Sequence, residues 1–65
     1  MARKKEQPLL LTVSQAAELL QLSDDVVYTL THRADFPALR IGRSIRINRD
    51  LLQTWLNQNN GGSIL

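Results

Sequence analysis

Apolar residues recur along this chain in short blocks, and each block has its own period. Val13, Ala16, Ala17 and Leu20 stand at i, i+3, i+4 and i+7, which is one face of a helix. Thr12 precedes them and Gln15 follows it by three, the spacing of a capping box. Leu11 and Ala16 occupy the positions of a hydrophobic staple, and the helix should end near Gln21. Leu22 reads as an apolar plug in the turn that follows. Ser23 is placed to cap a second helix, with Asp24 and Asp25 in its first turn, where negative charge suits the helix dipole. Val27, Leu30 and Ala34 form its expected buried stripe. A rotation of about 100° per residue turns Asp25, Tyr28, Thr29 and His32 to the opposite side. Asp35-Phe36-Pro37 breaks that helix, with Phe36 as a core anchor. Asn48 should cap a third helix whose apolar side is Leu51, Leu52, Trp55 and Leu56.

Between the second and third helices the period changes to two. Leu39-Arg40-Ile41-Gly42-Arg43-Ser44-Ile45-Arg46-Ile47 alternates aliphatic and polar residues about a glycine, the mark of a hairpin. Folding it around Gly42-Arg43-Ser44 sets Ile41 against Ile45, Arg40 against Arg46 and Leu39 against Ile47. The expectation is one aliphatic face and one arginine face. Like charges set directly opposite each other destabilise a strand pair. A polyanion would relieve that repulsion, so the hairpin reads as a wing that grips a nucleic-acid backbone.

Composition narrows the choice of chemistry. A chain of 65 residues holds one small domain. There is no cysteine, so neither a disulfide nor a thiolate metal site is available, and no cofactor is implied. The single histidine, His32, has no ligand-type partner near it in sequence, which argues against a metal site. No apolar run approaches the roughly 20 residues of a membrane span, and Pro8-Leu9-Leu10-Leu11 is too short for a signal core. A cytoplasmic protein beside the bacterial nucleoid is expected. Net charge is only +2, but the bases are concentrated. Arg3, Lys4 and Lys5 form one cluster, Arg40, Arg43, Arg46 and Arg49 another, and Arg33 stands near acids. Residues 1–8 read as a flexible basic arm, 9–58 as the folded domain, and the Asn- and Gly-rich residues 59–65 as a disordered tail.

The ordered set of these features resembles a known family. Leu11-Thr12-Val13-Ser14-Gln15-Ala16-Ala17-Glu18-Leu19-Leu20 resembles the opening of excisionase-family DNA-binding domains. Leu22-Ser23 followed by Val27-Tyr28 is similar to their recognition helix, and Phe36-Pro37-Ala38-Leu39-Arg40-Ile41-Gly42-Arg43 to their wing entry. Ile45-Arg46-Ile47, with Asp50-Leu51 and Trp55-Leu56, matches the ending, so the likeness runs from about residue 10 to 56. That family is in turn similar to the winged helix of the MerR group. Four positions depart from the pattern. Gln21 stands where glycine is frequent, Asp24 and Asp25 replace residues that are often Arg or Ser, and Asn48 replaces a frequent proline. The resemblance implies a small module that binds and bends recombination-site DNA and helps an integrase excise a mobile element. It equally covers small transcription regulators.

The expected fold is therefore α+β, a small winged helix-turn-helix: a two-helix unit, a two-stranded hairpin wing and a C-terminal helix. Double-stranded DNA is the expected partner, with an integrase or further copies of the chain beside it, and no small-molecule substrate. Arg43 at the hairpin tip is placed to reach a minor groove, with Arg40, Arg46, Arg49 and Ser44 near the backbone. Tyr28, Thr29 and His32 lie on the reading side of the second helix. Asp25 has two readings that are not exclusive: dipole stabilisation at the helix start, or acceptance of a hydrogen bond from cytosine N4. The arm serves either to follow a groove or to solubilise the terminus. Enzymatic chemistry is not expected, since there is no cysteine, a single histidine, no Gly-rich phosphate loop and no carboxylate pair that looks catalytic, Asp24 and Asp25 being explained by the helix start. The rival from another class is a protein-interaction module without DNA binding, which Asp24 and Asp25 would suit.

Overall fold

A computed structural model describes residues 9–62. The expected arm, residues 1–8, and the last three residues of the tail lie outside them. The order is β1 (Leu10–Leu11), α1 (Val13–Leu20), α2 (Asp24–Leu30), β2 (Ala38–Ile41), β3 (Ser44–Asn48) and α3 (Arg49–Gln58). This is a small α+β fold of three helices and a three-stranded antiparallel sheet in the order β1-β3-β2.

Each helix begins at the cap its sequence supplies. Thr12 and Gln15 form the reciprocal box, both bonds at 3.0 Å. Ser23 Oγ accepts from Val26 N, and Asn48 Oδ1 accepts from Leu51 N. The end of α1 is a Schellman closure, in which Leu22 N donates to Ala17 O and Gln21 N to Glu18 O. Gln21 takes the left-handed conformation this requires, with φ 59° and ψ 43°. The closure swings Leu22 outward, so the expected apolar plug is exposed.

The core lies where α1 and α2 meet the sheet and α3. Ala16 and Ala17 bring α1 close to α2, whose Val27 and Leu30 are fully buried. Ile47 of the central strand, Leu52 and Trp55 of α3, and Phe36 complete it. The Phe36 and Trp55 rings meet edge to face, with centroids 4.8 Å apart. Two expected core residues fall outside. The second helix stops at Leu30, one turn before Ala34, which is left exposed in the following turn. Leu51 is 52% exposed, because α3 packs through the narrower stripe of Leu52, Trp55 and Leu56.

The strand β1 is the main addition to the expected architecture. Leu11 does staple the start of α1, but it also pairs with Ile47, and Leu10 with Asn48. Arg49 N donates to Leu9 O and continues that edge. The hairpin is thus anchored as two strands of three. Among the described residues no helix is long and apolar enough to cross a membrane.

Candidate nucleic-acid interface

The second helix presents one buried and one exposed side, as its period requires. Opposite Val27 and Leu30 lie Asp25, Tyr28, Thr29 and His32, all exposed, with Tyr28 at 50%. The four are tied together on the helix surface. Thr29 Oγ1 donates to Asp25 O at 3.0 Å. His32 Nδ1 lies 3.0 Å from Tyr28 O. The Tyr28 and His32 rings meet edge to face at 5.0 Å. The sequence groups these residues correctly, although His32 stands in the turn after the helix rather than within it.

The hairpin is present, but its register differs by one residue from the expected pairing. Ala38 pairs with Ile47, Leu39 with Arg46, Arg40 with Ile45, and Ile41 with Ser44. The turn is the two-residue Gly42-Arg43, with Gly42 at φ +60°. Gly followed by another residue is the signature of the tight II′ hairpin turn. A three-residue loop would need its left-handed residue last rather than first. Glycine's position is therefore a legible signal that favours the shorter turn.

A one-residue slip changes which side chains share a face. Arg40 lies on the same face as Ala38, Ile45 and the buried Ile47, just past the edge of the core. Arg46 lies on the other face with Leu39, Ile41 and Ser44, and Leu39 and Ile41 are 44% and 53% exposed. The expected separation into an aliphatic face and an arginine face is thus overturned. So is the expected repulsion, since Arg40 faces Ile45 and not Arg46. The four arginines take different roles. Arg43 occupies the exposed turn. Arg40 is exposed beside it, and neither makes an ion pair among the described residues. Arg46 is half-buried and donates to Ile45 O at 2.9 Å. Arg49 opens α3, with its guanidinium 3.7 Å from Asp50. Ser44 is exposed at the start of β3.

A second cluster, absent from the expected site, ties the end of α2 to α3. Arg33 grips Asp35 through two hydrogen bonds, Nε to Oδ1 at 2.9 Å and Nη2 to Oδ2 at 3.1 Å. Trp55 Nε1 donates to Asp35 Oδ2 at 3.2 Å, and the Arg33 guanidinium lies over the Trp55 ring. The Arg33 hydrogen bonds are the main cause that holds the Asp35 carboxyl below its ordinary value, with the Trp55 bond adding to it against partial desolvation. Asp35 and Trp55 are 20 positions apart, so no local pattern announces this contact. Its effect is to fix the segment just after the exposed helix face.

The chain is similar to two proteins from separate strains of Mycobacterium tuberculosis, named "Putative DNA-binding protein MT0521" and "Putative DNA-binding protein Rv0500A". Each is 43% identical over 49 residues, which is 69% of this chain and 63% of the relative's length. The chain thus spans less than two thirds of the curated relatives it matches. No solved structure matches it. The profile of the family described as "Helix-turn-helix domain" matches residues 10–60, which takes in all three strands and all three helices. The chain belongs to that helix-turn-helix domain family.

Proposed function

We propose that this protein binds double-stranded DNA as a winged helix-turn-helix of the MerR-like kind. In this reading α2 enters the major groove and the β2–β3 hairpin lies in the adjacent minor groove. The observation that carries it is the exposed side of α2, held by a helix pair that closes through Ala16 and Ala17. The revised register supports a particular role for the hairpin. A ribbon that enters a groove tip first has a phosphate rail on each side. Arg40 on one face and Arg46 on the other would each meet one rail, with Arg43 between them at the floor. Divergent arginines suit insertion between two strands better than a clamp laid flat on one. The names of the two mycobacterial relatives agree with this reading.

Within that class we favour an excisionase-type role, in which the chain binds and bends recombination-site DNA beside an integrase. A small domain of this kind buries only about 600–1,000 Å² of its own surface on DNA. Adjacent copies would then be needed for tight binding. A regulator of transcription would footprint a promoter, whereas an excisionase-type protein would footprint and bend the end of its element. Asp24 and Asp25 at the start of α2 are the feature that favours a protein-interaction module instead.

The deciding experiment is a mobility-shift titration at two salt concentrations. DNA binding through several phosphates should weaken steeply as salt rises. Replacing Arg40 and Arg43 together by alanine should weaken binding to all duplexes. It should also reduce the salt slope by about 1 for each phosphate that is no longer neutralised. A double variant that binds like the parent would remove the hairpin from the interface.

A further inference from the structure

Resting on that reading, we infer that the exposed side of α2 is an acceptor surface that reads the amino groups of adenine and cytosine in the major groove. The inference follows from where the available protons go. A backbone carbonyl can only accept, so the contact of His32 Nδ1 with Tyr28 O places the proton on Nδ1. An imidazole whose one ring proton sits on Nδ1 has Nε2 as an acceptor. Thr29 spends its single hydroxyl proton on Asp25 O, so its oxygen offers outward lone pairs only. The Asp25 carboxylate accepts and cannot donate, and it makes no ion pair among the described residues. No arginine or lysine lies within α2. Of the four exposed residues only Tyr28 keeps a proton to give, on its phenol.

The major groove carries two kinds of group for such a surface to meet. Adenine N6 and cytosine N4 are donors, whereas guanine O6 and N7, adenine N7 and thymine O4 are acceptors. An acceptor surface pairs with the first kind and is left unsatisfied against the second. This surface therefore selects by amino groups. The commonest specific contact, an arginine or lysine fork on guanine, has no counterpart on it. Backbone attraction falls to the hairpin, because Asp24 and Asp25 repel phosphate.

The test uses the full chain and a randomised duplex library, followed by modified duplexes of the selected sequence. Removing single amino groups, with purine in place of adenine or pyrimidin-2-one in place of cytosine, should weaken binding roughly 2- to 10-fold at the positions under α2. Duplex melting controls for weakened pairing. Removing purine N7 with 7-deazaadenine or 7-deazaguanine at the positions under Asp25, Thr29 and His32 should leave affinity unchanged, Tyr28 being the one donor of the four. His32→Arg should move the preference at its position to guanine. Sensitivity to N7 without sensitivity to the amino groups would overturn the inference, as would indifference to both. Failure to bind any duplex even at low salt is a different result, since it removes the DNA-binding reading itself.

Discussion

Replacing Gln21 by glycine should make this domain more stable, although the side chain removed is exposed. Gln21 is the one non-glycine residue at positive φ among the described residues, at φ 59° and ψ 43°. A left-handed conformation costs an L-residue about 1–2 kcal/mol, and glycine takes it without that cost. Against this stands the extra freedom of glycine in the unfolded chain, about 0.4–1 kcal/mol. The difference is a gain of about 0.5–1 kcal/mol. Gln21 is exposed, so no packing is lost. The two hydrogen bonds of the closure come from backbone groups and persist in the variant. In a domain of this size such a gain raises the midpoint by about 2–8 °C. Thermal unfolding followed by circular dichroism, with parent, Gln21→Gly and Gln21→Ala compared in one buffer, reads it. Alanine should give no gain, because it keeps a Cβ and therefore the strain. A glycine variant less stable than the parent would refute the reasoning, since the turn would then not be strained.

Two further outcomes test the core and the cluster behind α2. Ile47→Ala, at the fully buried centre of the sheet, should cost about 2–5 kcal/mol. In so small a domain that should leave much of the chain unfolded at room temperature, as far-ultraviolet circular dichroism would show; retention of a cooperative transition near the parent's midpoint would displace Ile47 from the core. Asp35→Asn should be less stable than the parent at neutral pH, with altered Trp55 fluorescence. Because Arg33 lowers the folded-state pKa of Asp35, its contribution is present above the unfolded carboxylate value and disappears as pH falls through the folded one. The gap between parent and variant should therefore narrow in acid, and a gap independent of pH would mean that packing, not charge, is what Asp35 supplies.

The hairpin shows how far a small error in pairing travels. Alternation locates both strands and the turn, and it puts Arg40, Arg43 and Arg46 on the hairpin. The faces differ from expectation because a choice between a two-residue and a three-residue turn shifts every partner by one. The consequence is functional as well as structural. Exposed Leu39 and Ile41 stand where a polar surface is expected, and Arg40 and Arg46 point to opposite sides.

Local chemistry is enough for much of the molecule. Thr12, Ser23 and Asn48 each start a helix because a side-chain oxygen satisfies a free N–H three residues on, and that needs nothing beyond a few neighbouring residues. The exposed side of α2 follows from helical period alone. Tertiary structure decided what depends on distant partners. Leu10–Leu11 becomes a strand only because Ile47 and Asn48 lie alongside it. The second helix ends at Leu30 while the apolar period runs on to Ala34, and Asp35 turns back to bond with Trp55. Period and capping are properties of a few consecutive residues, whereas pairing and closure depend on groups brought together from far along the chain.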